Sequence, residues 1–200
     1  MSNQEQKSQK SEAAQETRKR IIAAAYRVLA GKGYDAATLR EIARAADAAP
    51  GLVHYYFGGK DLLLVEVLKD VSNRFIETGE QLSKDVAPSQ LAEAALARPH
   101  RWATEETEWY RLRYELFALG LHNPTLAPGV QELLAGGREA ISELVRQTMG
   151  EQSVDPMALA TVLIASFDGL ALQKIMDPDV DLDAAYKVLA QMLQCFQSSD

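Results

Sequence analysis

Two short helices separated by a tight turn are predicted over residues 38–57, and no other segment constrains the fold as strongly. Thr38-Leu39-Arg40-Glu41 has the T-x-x-E form of a capping box, in which the threonine oxygen accepts the third helical amide and the glutamate reaches back. Asp47-Ala48-Ala49 interrupts the helical pattern, and Pro50 supplies the backbone angle favoured in the first turn of a new helix. The pattern therefore predicts a helix-turn-helix, whose second helix would lie in a major groove of DNA.

The second short helix, predicted over residues 50–57, has one inward face and one outward face. Val53 and Phe57 form an inward pair four residues apart. His54, Tyr55 and Tyr56 follow one another, and successive helical residues are about 100° apart, so these three side chains cannot all face one core. Part of this aromatic run is therefore expected at the surface.

Helical periodicity extends over almost all of the chain, which predicts an all-α protein of about nine helices. Residues 1–13 are expected to form a disordered tail, and residues 14–60 a three-helix DNA-binding domain whose first helix ends at Gly31. Residues 61–200 are expected to form a C-terminal helical bundle, with prolines between its helices or in their first turns. Its helices are predicted over 61–84, 89–97, 105–121, 126–149, 155–176 and 181–196.

The charge is distributed unevenly along the chain. The net charge is −7, yet residues 18–60 carry eight Lys or Arg against three Asp or Glu. Residues 61–200 carry eleven Lys or Arg against twenty-two Asp or Glu. A basic N-terminal domain fits a polyanionic partner, and the acidic remainder does not.

Composition excludes several classes of protein. A single cysteine, Cys195, cannot form an intrachain disulfide, and the three histidines lack metal-ligand spacing, so neither a disulfide-stapled nor a metal-binding protein is expected. The N-terminus lacks the apolar region of a signal peptide, which indicates a cytoplasmic protein.

Residues 31–36, GKGYDA, resemble a dinucleotide-binding loop in sequence, but they follow a predicted helix, whereas such a loop must follow a strand. No cofactor is therefore expected.

Several features recur at fixed spacing over residues 21–64. They are Gly33-Tyr34, the Thr38 cap, Ile42-Ala43, Val53, Tyr56-Phe57, Lys60 and Leu62-Leu63. Jointly they resemble the DNA-binding domain of the TetR family of transcriptional regulators. The chain differs from the family pattern at three positions: Asp47 stands where a turn glycine is usual, Ala49 replaces a polar cap, and His54 replaces a common tyrosine. Aspartate tolerates the left-handed backbone that such a turn requires.

The resemblance implies a set of DNA contacts. Residues at the start of the second short helix would approach base edges, Arg40 would reach a base or a phosphate, and later residues would contact the sugar-phosphate backbone. The chemistry suits these roles, since arginine can bond guanine through two donors and tyrosine and lysine can bond phosphate oxygens. The predicted DNA-binding residues are Thr38, Arg40, Pro50, Gly51, Leu52, His54, Tyr55, Tyr56 and Lys60.

Two further groups of residues are assigned to the C-terminal bundle. Aromatic walls with a few polar groups are typical of small-molecule pockets, although core packing explains most such clusters. The candidate effector pocket consists of Trp102, Trp109, Tyr110, Arg113, Tyr114, Phe117, His122 and Phe167. The last helix has an apolar stripe and the helix before it is apolar on more than one side, a pattern that fits either an intramolecular core or a contact with a second subunit. The resemblance to the TetR family implies the second, a homodimer surface formed by Leu163, Leu170, Val188, Leu189, Met192 and Phe196.

The resemblance as a whole implies a ligand-responsive regulator that is not an enzyme. It would bind a palindromic operator as a homodimer, act as a repressor, and be released by a small-molecule effector. Two alternatives stay open from the residues alone. A helical small-molecule-binding enzyme would use Glu115 or His122 as acid or base, but the sequence lacks a nucleophile motif. A protein-interaction scaffold would show no salt-dependent binding to DNA.

Overall fold

The computed structural model describes residues 3–85, 88–149 and 154–197. Within these ranges the chain forms nine helices and no strand, which confirms the all-α prediction. The helices are α1 (Asn3–Lys32), α2 (Leu39–Ala45), α3 (Pro50–Phe57), α4 (Lys60–Asp85), α5 (Pro88–Thr104), α6 (Thr107–His122), α7 (Ala127–Met149), α8 (Pro156–Met176) and α9 (Leu182–Gln197).

The helix-turn-helix prediction is confirmed at both helices. α2 begins at Leu39, directly after Thr38, and α3 covers Pro50–Phe57, the predicted range. Val53 and Phe57 are buried, as their four-residue spacing predicts. The prediction succeeds here because capping and proline chemistry set the ends of short helices locally.

The expected N-terminal disordered tail is wrong from residue 3 onward, because α1 begins at Asn3 and runs without a break to Lys32. The prediction was based on the absence of an apolar stripe in residues 1–13. Gln, Glu, Lys and Ala, which dominate this segment, are all favourable in helices, so intrinsic propensity favours a helix here even without an apolar stripe.

A second boundary is wrong at Pro99, which lies inside α5 and not between two helices. Proline removes one helical hydrogen bond and normally kinks or ends a helix, at a cost of about 3 kcal/mol. In α5 the buried stripe continues through this position, since Leu96, Pro99 and Ala103 are all buried. Their burial favours continuing the helix.

The chain divides into two compact units. The first comprises Met1–Asp70 and Leu112–Val130, so it includes the beginning of α4 and most of α6. Its core contains Ile21, Leu29, Ile42 and Leu63. Two glycines allow close packing within it: a Cβ at Gly129 would lie 2.7 Å from Val65 Cγ1, and one at Gly120 would lie 2.6 Å from Val130 Cγ2.

The second unit comprises Val71–Arg111 and Gln131–Asp200. In it α5 packs against both α8 and α9. Asp155 caps α8 by accepting the amides of Met157 and Ala158. Among the described helices α8 alone is long and apolar enough to cross a bilayer, a property that core helices of soluble bundles share.

Candidate nucleic-acid interface

The N-terminus of α2 is fixed by a complete capping box. Glu41 N donates to Thr38 Oγ1 at 3.3 Å, and Thr38 N donates to Glu41 Oε2 at 3.1 Å. Hydrogen bonds from Lys32 and then from Thr38 lower the pKa of Glu41 to about 2. These contacts occupy the Thr38 side chain and leave the neighbouring Arg40 side chain exposed.

The turn between α2 and α3 depends on a left-handed residue. Asp47 has φ +49°, and Ala48 N donates to Ala43 O at 2.9 Å, which closes the end of α2. Arg20 of α1 donates to Asp47 O at 3.4 Å. Aspartate thus adopts the conformation that the family pattern assigns to glycine, as the sequence predicts.

α3 presents a continuous exposed surface opposite its buried side, small or apolar at its start and polar or aromatic further along. Tyr55 is 79% exposed and Leu52 38% exposed, and Pro50, Gly51 and His54 are exposed as well. Tyr56 is half-buried and meets Tyr55 edge to face, with ring centroids 5.3 Å apart. The surface that α3 offers therefore coincides with the predicted contact residues.

Lys60, the first residue of α4, is directed toward the loop between α1 and α2. Its Nζ donates to Tyr34 O at 2.8 Å, to Ala37 O at 3.1 Å and, at the longer distance of 3.5 Å, to Asp35 O. The ammonium also lies 4.2 Å from the centre of the Tyr34 ring. The same side chain that the resemblance assigns to a phosphate therefore also holds a loop.

A second side chain holds this loop from α6. Gly33 ends α1 with φ +78°, and the next amide, Tyr34 N, donates to Glu115 Oε2 at 3.1 Å. Burial is the main reason why the pKa of Glu115 is raised. The Tyr34 hydroxyl donates to Asp61, and burial followed by this bond raises the pKa of Tyr34.

Arg18 braces α1 against α3 and α4. Its guanidinium pairs with Glu66 of α4 and lies 5.3 Å from the centre of the Phe57 ring. In the sequence, Arg18 stands out only as part of the basic charge. In the structure its contacts with Glu66 and Phe57 instead hold α1 to the helices that follow it.

The candidate pocket residues fall in both units, and each unit brings a few of them together. In the second unit Trp102 and Trp109 are buried with ring centroids 4.7 Å apart, and Tyr110 meets Trp109 edge to face at 4.8 Å. In the first unit the buried Arg113 guanidinium lies 4.6 Å from the centre of the Phe117 ring.

The other three candidates lie elsewhere. Tyr114 is half-buried and His122 is exposed, so His122 does not belong to a buried wall. Phe167 stacks on Tyr186 with an interplanar angle of 1° and centroids 6.1 Å apart. Tyr186, which sequence reasoning missed, is buried, and its hydroxyl has no hydrogen-bond partner among the described residues.

The candidate dimer residues differ in exposure. Leu163 and Leu189 are already buried within the chain, and Leu170 is half-buried. Val188 and Met192, one helical turn apart on α9, are 54% and 55% exposed. The Phe196 side chain lies outside the described residues. The exposed part of the predicted stripe is therefore Val188 and Met192.

Sequence reasoning missed the loop contacts because they join distant parts of the chain. Tyr34 and Glu115 are 81 residues apart, and no spacing pattern connects them. The left-handed Gly33 and the Gly-Tyr ending of α1 were the available signals, and they indicate a turn without identifying its partner.

Two family models match the chain. Bacterial regulatory proteins of the tetR family match residues 21–67, and the C-terminal domain of BetI-type transcriptional repressors matches residues 101–196. The chain is 26% identical to the HTH-type transcriptional regulator PksA of Bacillus subtilis over 88% of both chains. It is 35% identical to the HTH-type transcriptional regulator BetI of Rhizobium meliloti over 40% of both chains.

A solved structure shares the fold. The transcriptional regulator FadR of Bacillus subtilis, in complex with stearoyl-CoA, aligns with a TM-score of 0.68 and 22% identity. The alignment covers 87% of this chain and 96% of that one. The similarity thus extends beyond the helix-turn-helix to most of the helical bundle.

Proposed function

Because the chain belongs to the TetR family of transcriptional regulators, we propose that it represses transcription by binding a palindromic operator as a homodimer. A small-molecule effector bound by residues 61–200 would release it from DNA. The exposed face of α3, held on a capped and braced helix-turn-helix, is the single observation that carries this proposal.

Base reading is assigned to the start of α3 and to α2. Pro50, Gly51 and Leu52 are small or apolar and exposed, which suits contact with base edges and with a thymine methyl group. Arg40 is exposed and reads a guanine or clamps a phosphate. Thr38 contributes by fixing the first turn of α2 through its cap.

Backbone contacts are assigned to His54, Tyr55, Tyr56 and Lys60. Their hydroxyl, imidazole and ammonium groups can bond phosphate oxygens, and Lys60 opens α4, where the helix dipole favours an anion. Lys60 can give up its longest contact, that with Asp35 O, for a phosphate while it keeps Tyr34 and Ala37.

The homodimer is supported by apolar side chains at the surface of the second unit. Val188 and Met192 of α9 are more than half exposed, and Val162, Leu172 and Met176 of α8 are exposed too. A second copy of the chain would remove this apolar area from water. Leu163 and Leu189 would support the interface from within the subunit.

The effector is assigned to the aromatic residues of the C-terminal bundle. The Trp102, Trp109 and Tyr110 group offers aromatic surface, and Phe167 with Tyr186 adds a buried hydroxyl that a ligand acceptor would satisfy. The FadR relative is found with stearoyl-CoA, so this compound is the first to test.

A regulator explains these side chains better than an enzyme does. Glu115, the acid or base of the enzyme alternative, accepts the Tyr34 amide, and His122 is exposed. A regulator of transcription would work in the cytoplasm, where it meets DNA.

The test is a selection of binding sites from a random pool of DNA duplexes, followed by fluorescence anisotropy over a range of salt concentrations. We expect a palindrome whose half-sites lie about 34–36 Å apart, one DNA turn. A wild-type protein that enriches no duplex overturns the proposal. Stearoyl-CoA and other acyl thioesters are then titrated against the complex.

Two variants assign the contacts. Arg40→Ala is expected to lose about 1–3 kcal/mol on the selected site if Arg40 reads a guanine, and equal losses on selected and scrambled DNA would show a phosphate clamp. Lys60→Ala is expected to weaken all duplexes and to reduce the salt slope by about one. Arg111→Ala, which removes an exposed arginine of α6, is the matched control and is expected to change neither value.

A further inference from the structure

We propose that Glu115 of α6 is a positioning residue for DNA binding: its carboxylate holds the loop between α1 and α2, and thereby α2 and α3, without touching DNA. This inference rests on the proposed DNA-binding function and adds a residue that neither the helix-turn-helix pattern nor the exposed face of α3 contains. The contact between Tyr34 N and Glu115 Oε2, at 3.1 Å, is its starting point.

The geometry of the loop leaves its amides in need of acceptors. α1 ends in the left-handed Gly33, whose own amide still donates to Leu29 O at 2.8 Å. The chain then turns away from the helix, so the Tyr34 amide has no helical acceptor. Glu115 Oε2 supplies it, and a Cβ at Gly33 would lie 3.9 Å from the other carboxylate oxygen.

The part of α6 that carries Glu115 is tightly packed. Leu112 and Leu116, which flank Glu115 on α6, are 1% and 0% exposed. Gly120 allows α6 to approach Val130 of α7, and Gly129 allows α7 to approach Val65 of α4, all within the same compact unit. An acceptor carried by a packed helix transmits its position to the donor better than one on a mobile segment does.

The loop in turn fixes the DNA-binding helices. It ends at Thr38, the cap of α2, and Lys60 holds its carbonyls at Tyr34 and Ala37 from α4. Glu115 therefore acts on the amide side of the loop and Lys60 on the carbonyl side. Displacing the loop moves the start of α2, and with it α3, which packs against α2. A small displacement of the recognition helix α3 is enough to misplace base contacts.

The test compares Glu115→Met and Glu115→Gln with Glu108→Met as control. Methionine keeps the length and helix propensity of glutamate but offers no strong acceptor, whereas the glutamine carbonyl can still accept the Tyr34 amide. Glu108 is an exposed glutamate on the same helix. Each full-length variant is assayed for helical circular dichroism, for binding to the selected duplex over a salt series, and for hydrogen exchange of the Tyr34 amide.

Glu115→Met is expected to bind the selected duplex about tenfold more weakly, to exchange the Tyr34 amide faster, and to keep the wild-type salt slope because no phosphate contact is lost. Glu115→Gln and Glu108→Met are expected to bind like the wild type. The inference is overturned if Glu115→Met binds like the wild type, or if Glu115→Gln loses as much as Glu115→Met. A wild-type protein that selects no duplex refutes the proposed function instead.

Discussion

The turn of the helix-turn-helix depends on one backbone angle, that of Asp47. Its φ of +49° is unfavourable for most side chains, and aspartate is one of the few that tolerate it. The same side chain places a negative charge between the two helices that are proposed to contact DNA. Asp47 therefore suits the fold of the turn and opposes the binding of DNA.

Asp47→Asn separates these two effects. Asparagine keeps the left-handed preference and removes the charge, so we expect unchanged thermal stability and tighter binding to every duplex. Asp47→Ala removes the charge and also places a residue that disfavours the left-handed angle, so its free energy of unfolding should fall by about 1 kcal/mol. Thermal unfolding measures the stability of both variants, and fluorescence anisotropy measures their affinity for DNA. Weaker DNA binding by Asp47→Asn would contradict the electrostatic role of Asp47.

Glu41 links the stability of α2 to pH. Its folded pKa of about 2 lies below the ordinary value of 4.5, so its stabilising contribution is present above pH 4.5. The contribution is lost as the pH falls from there toward 2, because protonation removes the charge that Lys32 and Thr38 hold. Urea unfolding at several pH values is expected to show Glu41→Gln less stable than the wild type at neutral pH, with a difference that narrows in acid. A constant difference would contradict the assignment.

At the scale of elements, local chemistry determined what the sequence could predict. Thr38, Glu41 and Pro50 act on neighbouring residues, so the start of α2 and the range of α3 were predictable to the residue. The predicted helix end before Pro99 was wrong because the burial of side chains along α5 outweighs the effect of a single proline. Local rules hold where no larger tertiary interaction opposes them.

The exposed residues of α3 were predictable for a similar reason. The contacts that hold the loop between α1 and α2 were not. Exposure on α3 follows from helical periodicity, which places Tyr55 outward once Val53 and Phe57 face inward. The loop between α1 and α2 is held by a hydrogen bond to Glu115 of α6, which lies far along the chain. Contacts across such a separation depend on the packing of whole helices, which no motif records.

Two glycines of α7 provide a test of packing at this scale. Gly129→Ala would push a Cβ against Val65, and we expect a loss of about 1–3 kcal/mol in the free energy of unfolding. A Cβ added at Gly136, on the same helix, would have no described atom of a neighbouring residue within 4 Å, so Gly136→Ala should gain up to about 1 kcal/mol from helix propensity. Chemical denaturation measures the free energy of unfolding of both variants. A stabilising Gly129→Ala would refute the close contact.

At the scale of the whole molecule, assembly determines whether the interface can be specific. One helix-turn-helix makes only a handful of base contacts, which amount to a few kcal/mol against a genome of competing sites. A dimer makes the second half-site contact intramolecular and so raises the apparent affinity by orders of magnitude. The proposed operator binding therefore requires a dimer, and the apolar surface of α8 and α9 is the interface that we propose for it.

The interface is tested by charging the exposed part of the α9 stripe. Leu189 is unsuitable because it is buried within the chain, so its substitution would unfold the subunit, whereas Val188 and Met192 are 54% and 55% exposed. Val188→Glu with Met192→Glu would place four carboxylates in a symmetric interface, a large desolvation cost without partners. Leu121→Glu, which charges an apolar side chain that is 82% exposed on α6, is the control.

The double variant is expected to sediment as a monomer, to keep its helical circular dichroism, and to lose specific operator binding. Weak, salt-sensitive binding to any duplex should remain, because each monomer keeps its basic helix-turn-helix. Leu121→Glu should remain a dimer with wild-type affinity. An intact dimer in analytical ultracentrifugation would show that Val188 and Met192 do not form the interface. A folded monomer that still bound its operator tightly would show that specificity does not depend on two linked half-site contacts.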